Sequence, residues 1–181
     1  LRVPGAWDPC EVGVRVRVGQ QISVGAASTI SGRIAQRFGE PIDGVGAFRL
    51  AHTFPSADRI AATRLDHLRD AGLTEARATT VRAFARAFAG GGLRLDGSQT
   101  LEDTVAALVA LPGVGPWSAN LIAMRAAGHL DAFPAEDLGL RKAAAAVLGR
   151  DRALTAAELS ERAQAWRPYR AVAAAYLWST L

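Results

Sequence analysis

Apolar residues recur along most of the chain at the three- to four-residue spacing that is typical of amphipathic helices. In the segment 23–38, which starts with a capping serine and stops before a glycine, the apolar positions are Val24, Ala27, Ile30, Ile34 and Phe38. In the segment 74–89, the side chains predicted to face inward are Ala78, Val81, Ala85 and Phe88. No alternating strand pattern of useful length occurs, so the chain is predicted to be all-α.

Capping residues, prolines and glycines divide the chain into predicted helices and one long loop. The helices are predicted over about 9–18, 23–38, 56–62, 64–69, 74–89, 100–111, 117–127, 136–148, 155–166 and 168–180. Three glycines and a proline within 39–54 predict the loop. Trp166 and Tyr176 are predicted to be ordinary core residues of the last helices.

The composition excludes several classes of protein. A chain of 181 residues, 50% of them apolar, can bury roughly two-thirds of its unfolded surface, which predicts one domain or two intimate lobes. No stretch approaches the ~18 apolar residues of a membrane span, so no membrane partner is expected. The single cysteine, Cys10, excludes an internal disulfide, a cysteine-rich zinc site and a four-cysteine iron–sulfur cluster. The three histidines show no metal-ligand spacing.

The basic charge of the chain comes almost entirely from arginine. Only Lys142 is a lysine among 21 cationic residues, and the formal net charge is +4. Arginine binds phosphate through a planar fork, so the balance permits a polyanionic partner. Because GC-rich coding also enriches arginine and the charges are scattered, charge supports that partner only weakly.

The most informative motif is LPGVGPWSAN at 111–120, where two glycines separate two predicted helices. Gly113 and Gly115 can adopt positive φ and let a polyanion approach the backbone. Pro116 suits the first helical position, where a missing N–H costs nothing. Free amides and the helix dipole at this start form a site for one phosphate. The same turn also suits a plain helix–helix connection.

The residues around this hairpin do not match the common nucleotide-binding loops. Ser118 replaces the third glycine of a Rossmann fingerprint, the preceding segment is helical, and no Gly-Lys-Ser/Thr follows as in a Walker A loop. A carboxylate, Asp137, follows Gly115 by 22 residues and suggests chemistry on the molecule that carries the phosphate. Taken alone, a carboxylate at a predicted helix start is ordinarily a cap.

Three segments together resemble the helix-hairpin-helix DNA glycosylases, and within them the AlkA type, which excises alkylated purines. These segments are 15–24, which contains Gln20 and Gln21, the hairpin at 111–120, and 133–138, which contains Asp137. The resemblance covers essentially the whole chain. It implies an all-α, two-lobed fold with a central cleft for DNA and for the base that such enzymes rotate out of the stack.

The resemblance also implies roles for individual residues. Asp137 is expected to be the catalytic carboxylate, which stabilises the oxocarbenium-like transition state at the sugar C1′. The DNA-binding residues are expected to be Gln21, Gly113, Gly115, Trp117 and Ser118. The hairpin amides would hold a backbone phosphate, and the Gln21 side chain would fill the gap left by the flipped base. Without the resemblance, Gln20-Gln21 is simply a polar helix break.

The expected pocket for the base consists of Trp117, Trp178, Leu121, Leu138 and Gln20. Alkylated purines such as 3-methyladenine and 7-methylguanine are cationic rings, which a tryptophan face attracts by stacking and cation–π terms of roughly 0.5–2 kcal/mol. Leu121 and Leu138 stand where the best-known AlkA relatives have tyrosines, so this pocket is expected to be more aliphatic. The lesion range therefore stays open.

Trp117 also separates two enzyme classes within the resemblance. Bifunctional relatives place a lysine two residues after the second hairpin glycine, and its amine forms a Schiff base at C1′. Trp117 stands at that position, so a monofunctional glycosylase is expected. No cofactor is expected to be required, although backbone groups near Leu111 and Gly113 could hold a monovalent or divalent cation. The expected partner is double-stranded DNA with alkylated bases, bound by a monomer in the bacterial cytoplasm.

Two other functions fit parts of the pattern. A non-catalytic helix-hairpin-helix DNA-binding module would account for the hairpin, and a glycosylase for uracil, mismatched or oxidised bases would use the same fold. The chain starts without Met, and 2–7 resembles the junction after the small N-terminal α/β domain of the family. Residues 1–181 are therefore expected to be a catalytic region without that domain, from a parent that is either AlkA alone or an Ada–AlkA fusion.

Overall fold

The computed structural model describes residues 1–43 and 51–181, and the secondary structure of these residues is helical. The helices are α1 Pro9–Gly19, α2 Val24–Phe38, α3 Ala57–Ala62, α4 Leu65–Asp70, α5 Glu75–Ala89, α6 Leu101–Val109, α7 Pro116–Arg125, α8 Leu138–Val147, α9 Ala156–Ala163 and α10 Arg170–Trp178, with a 3₁₀ turn at Gln164–Trp166. The all-α prediction is confirmed.

Local sequence signals account for most of these helix starts. The predicted caps Asp8, Ser56, Thr74 and Thr100 each accept a backbone N–H from the first turn of their helix. Such caps satisfy amides that have no partner within the helix. The glycine hairpin joins α6 to α7 as predicted, although α6 ends at Val109.

The structure differs from the predicted pattern in several places. α8 begins at Leu138 rather than at 136, because the preceding residue is its cap. The segment 155–166 divides into α9 and the 3₁₀ turn. Val24 is exposed at the start of α2. Tyr176 is exposed rather than part of the core, because α10 buries a face made of alanines.

Buried side chains form two hydrophobic clusters, one for each lobe. The first cluster lies among α1 to α7 and includes Val14, Ile34, Ile60, Phe84 and Ile122. The second combines the end of α7 with α8, α9 and α10, and includes Met124, Leu140, Leu154, Leu159 and Ala174. α7 thus contributes to both cores, and its amino-terminal end lies where the two lobes meet.

The segment predicted as a loop, 39–54, contains one isolated antiparallel bridge between Pro41 and His52. Within this segment, 44–50 lie outside the described residues. None of the helices in the described part of the chain is long and apolar enough to cross a membrane.

Candidate active site

The glycine hairpin between α6 and α7 adopts the left-handed backbone at one of its two glycines. Gly113 has a φ of +74°, as expected for a residue without a Cβ. A Cβ at Gly113 would lie 2.6 Å from the Thr80 Oγ1 on α5, so this glycine also permits close packing of the hairpin against the first lobe. The prediction of a positive φ is confirmed at this position.

The prediction is wrong for Gly115, which has a φ of −95° and a ψ of 175°. The residue before a proline is restricted to the extended region, and Pro116 imposes that restriction here. Gly115 caps α7, and a Cβ built on it would meet no atom within 4 Å. The hairpin is therefore open on the side of Gly115.

Ser118 lies in the first turn of α7. Its side chain is completely buried, and the hydroxyl has no hydrogen-bond partner. It lies on the face of α7 that packs into the protein, so its side chain does not reach a surface on which DNA could lie. The predicted DNA contact of Ser118 therefore concerns its backbone amide in the first turn of α7 and stays a prediction.

The carboxylate of Asp137 accepts three hydrogen bonds from three different segments. Its Oδ1 accepts the Leu140 amide at 2.9 Å, which caps α8, and the Trp178 indole N–H at 3.1 Å. Its Oδ2 accepts the Trp117 indole N–H at 3.0 Å. The two tryptophans come from the first turn of α7 and the last turn of α10. The structure therefore brings together three residues that the sequence had assigned to one site.

Two further residues hold this arrangement in place. A Cβ at Gly139 would lie 3.0 Å from the Asp137 Oδ1 and 3.6 Å from the Trp178 indole nitrogen, so a larger residue would require the carboxylate to shift by a few tenths of an ångström. Asn120 donates to the Pro116 carbonyl at 3.0 Å and accepts the Phe133 amide at 3.2 Å. It thereby ties α7 to the loop that leads to Asp137.

A cavity of about 340 Å³ opens next to the carboxylate. Its lining consists of Gln20, Gln21, Trp117, Glu136, Asp137 and Leu138. Four of the predicted site residues therefore surround Asp137 and share this cavity with Glu136. Trp178 and Leu121, which were predicted to belong to the same pocket, do not line it. Trp178 contacts the carboxylate from the second hydrophobic cluster.

The Gln20-Gln21 turn follows α1 and is held by two arginines. Arg17 donates to the Gln20 side-chain oxygen, and Arg77 donates to the Gln20 carbonyl. Gln21 has a φ of +58°, a left-handed conformation that is uncommon for a residue with a Cβ. Its side chain is exposed at the mouth of the cavity.

Within 1–43 and 51–181, no group of three His, Cys, Asp or Glu side chains is close enough to hold a metal ion. The Leu111 carbonyl accepts the Val114 amide at 3.1 Å, which uses one of its two lone pairs. A cation held by the hairpin backbone near Leu111 and Gly113 stays a prediction.

Sequence reasoning missed the hydrogen bonds of Asp137, the role of Gly139 and the turn-holding function of Arg17 and Arg77. The Trp178 hydrogen bond to Asp137 and the close packing at Gly139 depend on the approach of α10 to the start of α8, and the Trp117 hydrogen bond depends on the approach of α7. Periodicity gives no signal for either approach. A signal for Arg17 does exist, because an arginine falls on the buried side of α1 between two valines.

Comparison with known proteins extends these observations to a family. The HhH-GPD superfamily of base excision DNA repair proteins matches residues 14–168. A Mycobacterium tuberculosis protein, "Probable bifunctional transcriptional activator/DNA repair enzyme AlkA", is 42% identical over 99% of this chain and 35% of its own length. The Escherichia coli "DNA-3-methyladenine glycosylase 2" is 31% identical over 99% of this chain and 60% of its own length.

A solved structure shows the same fold. The 3-methyladenine DNA glycosylase from Archaeoglobus fulgidus superposes with a TM-score of 0.84 and 25% identity, over 97% of this chain and 58% of that one. The chain therefore spans between about a third and 60% of the length of these relatives.

Proposed function

Because the chain belongs to the HhH-GPD superfamily of base excision DNA repair proteins, we propose that it is a monofunctional DNA glycosylase for alkylated purines. In this proposal it hydrolyses the N-glycosidic bond of bases of the 3-methyladenine and 7-methylguanine type. It acts as a monomer on double-stranded DNA in the bacterial cytoplasm, and it requires no cofactor. The names of the relatives support the substrate class.

The observation that carries this proposal is the Asp137 carboxylate, which two indoles and one amide hold beside the cavity. Cleavage of an N-glycosidic bond develops positive charge at C1′, and a fixed carboxylate stabilises that charge without reorganising. Oδ1 already accepts two hydrogen bonds, whereas Oδ2 accepts one. Oδ2 therefore retains lone-pair capacity to face C1′ or a water molecule that attacks it.

The remaining residues of the cavity supply recognition. The half-buried Trp117 ring lines the cavity and offers its face to an electron-poor alkylated purine. Gln21 extends from the cavity mouth and would enter the duplex where the base has left. The amides at the start of α7, beside Gly115, would hold a backbone phosphate. Trp117 has no amine, so no Schiff base forms and the DNA strand stays intact.

A non-catalytic DNA-binding module would account for the hairpin, but it would not need a carboxylate fixed by hydrogen bonds beside a cavity. In such a module, Asp137 would need only the α8 amide that it caps. The two indole hydrogen bonds favour the enzyme over the module.

Base release from methylated duplex DNA tests the proposal. Under single-turnover conditions, Asp137→Asn should release alkylated purines about 10²–10³ times more slowly, because the negative charge is lost. The side-chain oxygen of the asparagine can still cap α8. Its NH₂ group replaces the oxygen that accepted the Trp117 indole N–H, so that hydrogen bond is lost. DNA affinity at one salt concentration should change little.

Borohydride reduction during turnover of the wild-type protein should trap no covalent adduct.

Asp151→Asn is the matched control, since this exposed aspartate lies beyond α8 and outside the cavity. It should release bases at the wild-type rate. A wild-type rate for Asp137→Asn would refute the catalytic assignment and favour the binding module. A loss confined to Glu136→Gln would move the catalytic role to the neighbouring carboxylate.

A further inference from the structure

Arg17 is a charged residue at a position of α1 where the pattern of buried residues predicts an apolar side chain. Only 5% of its surface is exposed, and its neighbours on the buried face of the helix include Val14 and Val18. Its Nε is buried without a hydrogen-bond partner. Burial lowers the pKa of the Arg17 guanidinium, and the nearby charge of Arg77 lowers it further.

The Arg17 side chain lies between the hairpin and the Gln20-Gln21 turn. One terminal nitrogen donates to the Gln20 side-chain oxygen, while the other would be 3.4 Å from a Cβ placed on Gly113. Arg77, from α5, donates to the backbone carbonyl of the same glutamine. Two positive charges thus meet at one residue, directly behind the hairpin.

No negative charge in the described part of the chain balances this pair. The ion pairs there join six carboxylates to other arginines, and no carboxylate lies within ion-pair distance of Arg17 or Arg77. A buried charge without a counter-charge destabilises a folded protein. The cost of burying the Arg17 charge is therefore offset by an interaction that the free protein does not make.

We propose that Arg17 and Arg77 are an uncompensated cation pair whose counter-charge is a DNA backbone phosphate at the hairpin, and that they position the Gln20-Gln21 turn at the same time. This inference rests on the DNA binding included in the proposed function. Arg17 acts from beneath the hairpin by its charge, which low-dielectric surroundings screen weakly. Phosphate binding and presentation of Gln21 are then linked through a single side chain.

Arg17→Met tests the inference, because methionine fills similar space without charge. The free variant should be as stable as the wild type or more stable, because the cost of the buried charge is removed. Any gain should appear as a rise in Tm of a few degrees, about 2–4 °C. Affinity for a duplex with an uncleavable abasic-site analogue should fall about tenfold, and the slope of log affinity against log salt should decrease by up to about one. Stability and affinity therefore change in opposite directions, whereas loss of a merely structural residue lowers both.

Arg77→Gln supplies a second variant whose folding is not at risk, since Arg77 is only partly buried. It should bind the same duplex several-fold more weakly with an unchanged Tm. Arg150→Met, an exposed arginine after α8, controls for net charge and should keep wild-type affinity within about twofold.

Two results would overturn the inference. One is wild-type affinity and salt dependence in both Arg17→Met and Arg77→Gln. The other is a loss of stability in Arg17→Met together with wild-type binding by Arg77→Gln. Because the duplex is uncleavable, neither result depends on base release. Failure of this inference is therefore distinguishable from failure of the catalytic assignment, which Asp137→Asn tests.

Discussion

At the scale of the residue, the site depends on how one carboxylate is shared among three donors. Asp137 ends the loop before α8, caps that helix, and accepts an indole N–H from each side. A side chain with three fixed partners loses its rotameric freedom during folding rather than during catalysis. Such preorganisation is what electrostatic stabilisation of a transition state requires.

Trp178→Phe tests the contribution of one donor. Phenylalanine keeps an aromatic ring at the end of α10 but cannot donate to the Asp137 Oδ1. The rate of base release at saturating enzyme should fall about tenfold, because one hydrogen bond to a charged group is worth roughly 1.5 kcal/mol. DNA affinity should remain at the wild-type value, since Trp178 does not line the cavity.

Trp166→Phe is the matched control for this change. Trp166 packs edge-on against Phe133, with ring centroids 5.9 Å apart, and its substitution removes no hydrogen bond to Asp137. It should lower stability slightly and leave the single-turnover rate unchanged. Equal rate losses in both variants would mean that Trp178 acts through general packing of the second lobe.

At the scale of the element, α7 connects the functions of the site. Its first turn carries the open amides of the hairpin and Trp117, and its middle carries Asn120, which anchors the loop before Asp137. Its two buried faces belong to the two hydrophobic clusters. A rigid helix in this position holds the proposed phosphate site and the carboxylate at a constant separation.

The two hairpin glycines should respond differently to alanine. Gly113→Ala should lower stability by about 1–3 kcal/mol, because a Cβ is strained at positive φ and would meet Thr80. Gly115→Ala should cost at most about 1 kcal/mol, the scale of a weakened helix cap, and reduce DNA affinity about tenfold by obstructing the approach of a phosphate. Thermal unfolding and binding at fixed salt, measured on both variants, separate these effects.

Gly149→Ala provides a comparison for Gly113→Ala. Gly149 also has a positive φ, of 63°, but a Cβ there would meet no atom within 4 Å. Its stability loss should therefore reflect backbone strain alone and be the smaller of the two. Unchanged DNA affinity in Gly115→Ala would place the phosphate away from the open side of the hairpin.

At the scale of the whole molecule, stability should depend on alkaline pH through Cys10, which is buried in the core of the first lobe. Burial, together with the nearby charges of Asp8 and Asp58, raises the pKa of this thiol from its ordinary value of 9.0 to about 12. The folded protein therefore keeps the proton where the unfolded chain releases it. The stabilising contribution is complete below pH 9 and is lost as the pH rises towards 12.

Comparison with Cys10→Ala checks this dependence. The difference in free energy of unfolding between the wild type and the variant should shrink above pH 9, by up to about 1.4 kcal/mol per pH unit. A thiol reagent should modify Cys10 only at the rate of unfolding. A constant difference between the two proteins from pH 8 to 11, or fast modification of the folded protein, would contradict the buried, protonated state.

Local patterns in the sequence were enough to predict the helices, most of their caps and the hairpin. This follows because capping and amphipathic spacing depend on neighbouring residues. Resemblance to a known family added the expected site residues, and four of the predicted residues do lie around Asp137. Gly115 departs from its predicted backbone for a local reason that was available in the sequence, the following Pro116.

Only the tertiary structure decided what depends on contacts between distant segments. Trp178 meets Asp137 across 41 residues, and Arg77 meets Gln20 across 57, so no periodicity relates them. The burial of Ser118 and the exposure of Tyr176 depend on which neighbouring elements pack against α7 and α10. Spacing within a helix identifies the residues that share a face, whereas the packing of the two lobes determines which face is covered and which side chains reach the carboxylate.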